Sequence, residues 1–209
     1  MKKFLLLSTL LFSSIVLQAQ SAKALLDEVS EKVKSYKNIV IDFKYTISNN
    51  SANLEQETRG DVTLEGEKYV LNLMGTTQIY DGKKLHIIVP EDEEISISTP
   101  TADEGLTPSK MLTFYKKGYV ASMDIVQNVN GRKIQYVKLV PEQKSGEITS
   151  ILLGIDSETK HIYKQVLKQS NGTEIYVTVN QFKTNQPLSN TLFIFDEAKY
   201  SDYYINRLD

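Results

Sequence analysis

Two histidines, one run of four acids and a scatter of serines are the side chains of this chain that could act on a substrate. His86 and His161 stand 75 residues apart, each in an alternating, strand-like stretch, and both read as surface residues. No serine sits in a G-x-S-x-G turn, where a histidine could activate it as a nucleophile. Glu91, Asp92, Glu93 and Glu94 are neighbours in a predicted hairpin loop. Acid–base hydrolysis needs carboxylates held apart in a cleft, whereas four adjacent acids on a loop are simply solvated. A zinc site draws on His and Cys, and the chain has no Cys. That also removes disulfides and thiol catalysis. Neither a calcium loop frame nor a Gly-rich phosphate loop occurs. The sequons Asn49-Asn50-Ser51 and Asn171-Gly172-Thr173 matter only in a glycosylating secretory pathway. The residues point to binding rather than catalysis, with no cofactor and no metal; a hydrolase would need a nucleophile that the pattern does not supply.

The elements that must position any binding site begin after a leader. Residues 1–19 have the parts of a secretory signal peptide: Lys2 and Lys3, an apolar stretch from Phe4 to Leu17, and a small-residue cleavage site ending at Ala19. The stretch is short for a membrane span, no second apolar run follows, and no Cys is placed for acylation. Residues 20–209 then read as one secreted domain of about 190 residues, enough for a core without disulfide staples. Without the two leader lysines, 22 basic side chains face 26 acidic ones, a formal charge of −4. That balance argues against nucleic acid or an anionic membrane surface as the main partner.

Ser21 can cap a helix over residues 22–37, in which Leu25, Leu26, Val29, Val33 and Tyr36 form one stripe. From Ile39 the period changes to two. Ile39, Ile41, Phe43, Tyr45 and Ile47 alternate with Val40, Asp42, Lys44 and Thr46, Val62 and Leu64 with Asp61, Thr63 and Glu65, and, after a Gly66-Glu67 turn, Tyr69, Leu71 and Leu73 with Val70 and Asn72. A short strand over 77–80 leads to Asp81-Gly82, a strong hairpin signal, followed by Leu85, Ile87 and Val89, then Ile95 and Ile97. Pro100, Gly105 and Pro108 break the rhythm, and Ser109 opens a short amphipathic helix with Met111, Leu112 and Tyr115. Strands resume near 119–128, 133–140, 147–156, 161–170 and 173–184, with hairpins at Asn130-Gly131 and Asn171-Gly172, and a last strand runs from Leu192 to Phe195. The fold class is mostly β: an open antiparallel β-barrel of about eleven strands with a helical lid.

A curled sheet of that size encloses more volume than its own side chains fill. Its oily inward face is either a packed core or a groove for an apolar ligand. Burying each methylene gains about 0.8 kcal/mol, so part of an acyl chain is worth several. The helices at 22–37 and 109–117 are the covers that would trade places with such a ligand.

Four segments resemble the periplasmic outer-membrane lipoprotein carrier family, LolA, in its flavobacterial form. They are ALLDEVSEKVKSYKNIVIDFKYTI, RGDVTLEGEKYVLNL, IYDGKKLHIIVPEDEEI and LSNTLFIFDEAK, in family order across nearly the whole mature chain. The chain departs from the family where Lys68 stands near the turn that usually carries an Arg, where His86 replaces an aromatic, and where Asp196-Glu197-Ala198 replaces Pro-x-Gly. The resemblance implies a monomeric periplasmic chaperone. It would take acylated lipoproteins from an inner-membrane ABC transporter and pass them to an outer-membrane acceptor or to the outer membrane itself.

On this reading the lipid-binding cavity is lined by Ile41, Phe43, Tyr45, Val62, Leu64, Tyr69, Leu71, Leu73, Leu85, Ile87, Ile95 and Ile97. Leu25, Val29, Val33, Met111, Leu112 and Tyr115 form the underside of the lid. The alternatives on the same half-barrel are an envelope lipid carrier serving a biosynthetic pathway and a protein-binding sensor module.

Overall fold

Among the described residues, twelve strands follow one another in a single run of pairing, β12-β6-β5-β4-β3-β2-β1-β11-β10-β9-β8-β7, whose two ends do not pair with each other. The computed structural model describes residues 21–100, 107–143 and 146–208; the expected signal peptide and most of the Pro100–Pro108 loop lie outside them. The strands are β1 (Ile39–Asn49), β2 (Leu54–Glu65), β3 (Lys68–Leu73), β4 (Thr76–Tyr80), β5 (Leu85–Val89), β6 (Glu94–Ser98), β7 (Tyr119–Val129), β8 (Arg132–Pro141), β9 (Ile148–Asp156), β10 (Ile162–Gln169), β11 (Glu174–Thr184) and β12 (Tyr204–Arg207). Residues 21–34 form helix α1, and Pro108–Met111 form the single turn α2. The fold is thus mostly β, an open twelve-stranded sheet rather than a closed barrel.

Three expectations shift. The first helix stops at residue 34, not 37, because the backbone beyond it is taken by a distant segment. Lys37 N donates to Asn185 Oδ1 at 2.8 Å, Asn38 Nδ2 donates to the Gln186 carbonyl at 2.8 Å, and Gln186 N donates back to Asn38 Oδ1 at 2.8 Å. The short second helix is two pieces, α2 and a 3-10 turn over Phe114–Lys116. The strand expected from Leu192 to Phe195 is a set of turns, because Leu192 N donates to the nearby Ser189 carbonyl and Ile194 N to that of Thr191. The last strand is β12, further along the chain, and it joins β6 in parallel.

The chain divides into two compact units, each built from three separated segments. One comprises the residues up to Val33, Ile47–Glu55 and Tyr115–Tyr176. Its core is Ile134, Val137, Leu139, Ile151, Leu153 and Ile155, all fully buried, on β8 and β9. Ala22, Leu26 and Val29 of α1 are buried as well, and Lys160 Nζ holds Glu28 Oε2 at 2.8 Å beside the β9–β10 turn. Asp156 caps that turn. Burial alone would raise its carboxyl, but the N–H groups of Thr159 and Glu158 and the Arg132 guanidinium outweigh it and hold the carboxyl below its ordinary value.

The other unit comprises Lys34–Thr46, Gln56–Phe114 and Val177 onward. Its sheet runs through β1 to β6 and ends at β12. The carboxy-terminal residues from Phe195 to Ile205 lie across β4 to β6 as a strap. Phe195, Tyr200, Tyr203 and Ile205, with Ile79, pack on the buried cluster of Ile88, Ile95 and Ile97.

Candidate functional site

Strand pairing in the second unit sorts its side chains onto two faces. Val62 opposes Leu71, Leu71 opposes Gln78, and Gln78 opposes Ile87; Leu64 opposes Tyr69, Tyr69 opposes Tyr80, and Tyr80 opposes Leu85. Residues directly opposed in an antiparallel ladder share a face, so these and Leu73 lie together. Phe43 joins them: its ring lies over Gly60, which alternates with Val62 and Leu64 on β2. Ile41 and Tyr45 alternate with Phe43 on β1 and take the same side.

Ten of the twelve residues expected to line a cavity therefore share one continuous apolar face. They differ in exposure. Ile41, Phe43, Val62, Leu64 and Tyr69 are buried, whereas Tyr45, Leu71, Leu73, Leu85 and Ile87 are half-buried. Burial, and then the neighbouring Tyr80 ring at 5.6 Å, push the Tyr69 phenol up to about 12, so it stays neutral there.

Ile95 and Ile97 are the exceptions. Register pairs Ile88 with Ile95 and His86 with Ile97, while Leu85 and Ile87 face Ser98 and Ser96. The Pro90–Glu93 turn sets odd positions of β5 opposite even positions of β6, so Ile95 and Ile97 point to the reverse side. There they meet the strap and form core. The same register corrects the surface reading of His86, which is 7% exposed and stacks on Phe195 at 4.5 Å with Nδ1 3.3 Å from the Ile79 carbonyl. His161 is half-buried in the first unit; burial, then Lys32, lowers its pKa against the pull of Asp156.

The two faces exchange polarity across the sheet. Behind the apolar side of β1 to β3, the reverse face is polar: Asn72 Nδ2 donates to Asp61 Oδ2 at 2.9 Å, Thr77 Oγ1 donates to Asn72 Oδ1 at 2.8 Å, and Lys44 pairs with Glu57 at 3.0 Å. Behind Ser96 and Ser98, the reverse face is the buried isoleucine cluster.

The residues expected beneath a lid fall into both units. Leu25 and Val33 are half-buried, and Val29 and Tyr115 buried, in the first; Met111 is half-buried and Leu112 buried in the second, where Ser109 Oγ lies 3.4 Å from the Glu67 carbonyl. Among the described residues no cluster of His, Cys, Asp and Glu could hold a metal ion, and no helix is long and apolar enough to cross a membrane. The second unit thus presents one broad apolar face on one side of its sheet.

A sequence profile of the outer membrane lipoprotein carrier protein LolA matches residues 31–196, and the chain belongs to that family. No curated protein sequence matches. Among solved structures, an uncharacterized conserved protein from Thermus thermophilus superposes with a TM-score of 0.56 at 11% identity, over 90% of this chain and 99% of that one. A LolA superfamily protein from Nitrosomonas europaea gives 0.44 at 12% identity, over 84% and 98%. The Mycobacterium tuberculosis lipoprotein LppX gives 0.48 at 15% identity, over 80% and 98%. The family is one of carriers rather than enzymes.

Proposed function

We propose that this protein is a periplasmic carrier that shields the acyl chains of lipoproteins between the inner and outer membranes. The observation that supports it is the half-buried apolar patch of Tyr45, Leu71, Leu73, Leu85 and Ile87 beside the buried floor of Phe43, Val62 and Leu64. A floor that is packed and a rim that is not is what a reversible hydrocarbon site needs: the fold survives without cargo, and cargo still gains by covering the rim. At about 0.8 kcal/mol per methylene, about eight buried methylenes contribute roughly 6 kcal/mol before ordering costs, enough to hold an acyl chain and still release it.

Membership in the outer membrane lipoprotein carrier family supports lipoproteins as the cargo. An inner-membrane ABC transporter would load the protein, and an outer-membrane acceptor or the membrane itself would unload it. The leader at residues 1–19 would deliver it to the periplasm, where it would act as a monomer without a cofactor.

Leu71 is the test position, because its cross-strand neighbours Val62 and Gln78 centre it on the face. Leu71→Glu places a carboxylate where hydrocarbon would lie. The variant should be exported and folded, bind a fluorescent fatty acid at least tenfold more weakly, and fail to release lipoproteins from inner-membrane vesicles. Wild-type levels of release by a folded Leu71→Glu protein would overturn the assignment of this face.

A further inference from the structure

A cavity of about 580 Å³ lies at one end of the second unit, and its chemistry is opposite to that of the apolar face. Lys37 enters it from the segment before β1, Lys68 from the first residue of β3, and Lys83 from the β4–β5 loop. Leu188 and Phe193, with Pro187 and Ile194, from the segment that leads into the strap, make its apolar wall. The segment enters the cavity from an anchored point: Asn38 is 4% exposed and uses both ends of its amide to grip the backbone of Gln186.

Among the described residues, none of the three ammonium groups has an ion-pair partner within 4 Å. Two carboxylates, Glu65 and Asp81, also line the cavity. Asp81 is already engaged. Burial would raise its carboxyl, but Lys84 N at 2.8 Å and Lys83 N at 2.7 Å, with His86 and Lys83 nearby, draw it below its ordinary value. Three cations against two carboxylates, one of them already engaged, leave an excess of positive charge in a concave site, which focuses field and attracts an anion.

We propose that this cavity binds a phosphate ester, with the phosphate among Lys37, Lys68 and Lys83 and the organic part against Leu188 and Phe193. Three lysines from three separate places act as point charges around a tetrahedral anion; a planar carboxylate is better served by a guanidinium fork. The volume lies within the range of small-molecule sites and leaves room for more than the phosphate group. The site goes beyond the carrier reading and does not depend on it, because it shares no residue with the apolar face.

The test is NMR titration of the full mature protein at low ionic strength with inorganic phosphate, glycerol 3-phosphate and dihexanoyl-phosphatidylglycerol. Glycerol 3-phosphate should perturb Lys68, Lys83 and Phe193, and binding should weaken as salt rises. Lys68→Gln and Lys83→Gln should each weaken it about fivefold, and Glu65→Gln should tighten it by a similar factor, as expected for adding or removing one charge at a half-screened site. Tighter binding of the short-chain lipid than of glycerol 3-phosphate identifies a lipid headgroup as the source, and the reverse order identifies a free phosphate ester; inorganic phosphate binding as tightly as either ester would overturn the role of Leu188 and Phe193 and with it the ester. Leu71→Glu should leave phosphate binding intact, and Lys68→Gln should leave fatty-acid binding intact, so each reading can fail alone. Absence of perturbation at these residues by all three ligands, or a change of the same sign for Glu65→Gln and Lys68→Gln, would refute the site.

Discussion

A β-carbon on Gly60 would lie 2.6 Å from Phe43 Cζ and 2.9 Å from the carbonyl oxygen of Asn72. The first contact is with a buried ring and the second with backbone, and neither has room to move. Gly60→Ala should therefore cost about 1–3 kcal/mol through overpacking, which lowers the midpoint of thermal unfolding by roughly 2–4 °C per kcal/mol. Gly146→Ala, with nothing within 4 Å, is the matched control and should leave the midpoint unchanged. Circular dichroism melts of the two variants decide it; equal midpoints would mean that Phe43 does not pack on Gly60. The same scale shows where reading residues one at a time runs out. Alternation assigned Phe43, Val62 and Leu71 to a common side because Phe43 and Val62 have polar residues on both sides and Leu71 is followed by Asn72. In β5 both phases are apolar, Leu85, Ile87 and Val89 against Ile88 with His86, so alternation alone cannot say which phase faces which way. Strand register decided it, and His86 went inward.

The strap is the element that makes the reverse face of the sheet dry. Ile205 packs on the Ile88–Ile95–Ile97 cluster, and β12 is held to β6 by Tyr204 N to the Glu93 carbonyl at 2.8 Å and Leu208 N to the Ile97 carbonyl at 2.9 Å. Ile205→Asp puts a charge against three isoleucines and should cost about 2–4 kcal/mol. A mild consequence is expected before global unfolding: the strap detaches, Ile88 and Ile95 become exposed, and the dye ANS binds. ANS fluorescence equal to that of the parent protein in the folded range would show that the strap is not what keeps this face dry. Hairpins were legible because their turns are short and chemically marked, as at Asn130-Gly131 and Asn171-Gly172, where Gly131 and Gly172 adopt φ of 82° and 83°. β12 was not legible: Tyr204-Ile205-Asn206-Arg207 is too short to show a period, and it is a strand only because the edge of β6, far away in the chain, is open to it. The stretch Leu192–Phe195 looked more strand-like but satisfies N–H groups in local turns instead.

At the scale of the whole chain, neither unit is a continuous piece of sequence, and β1, β2 and β11 each contribute residues to both. In the sheet β1 lies between β2 and β11, and its start is pinned by hydrogen bonds spanning 148 residues, Lys37 and Asn38 with Asn185 and Gln186. Such contacts form late and make folding slow relative to locally connected proteins. A fragment of residues 21–176 lacks most of β11 and the whole strap, and it should show no cooperative thermal transition; a sharp melt from that fragment would mean the rest of the chain is dispensable for folding. The three lysines of the polar cavity illustrate the limit of the sequence at this scale. Nothing local distinguishes Lys37, Lys68 and Lys83 from the other cations, and only the way the chain returns on itself gathers them. The exchange of polarity between the two sides of the second unit has a practical corollary. Cohesion comes from Ile88, Ile95 and Ile97 beneath the tail, while the opposite surface carries Leu71, Leu73 and Leu85. An engineer, or natural drift, can therefore retailor one surface for a wider or narrower guest without loosening the fastening that keeps the molecule folded.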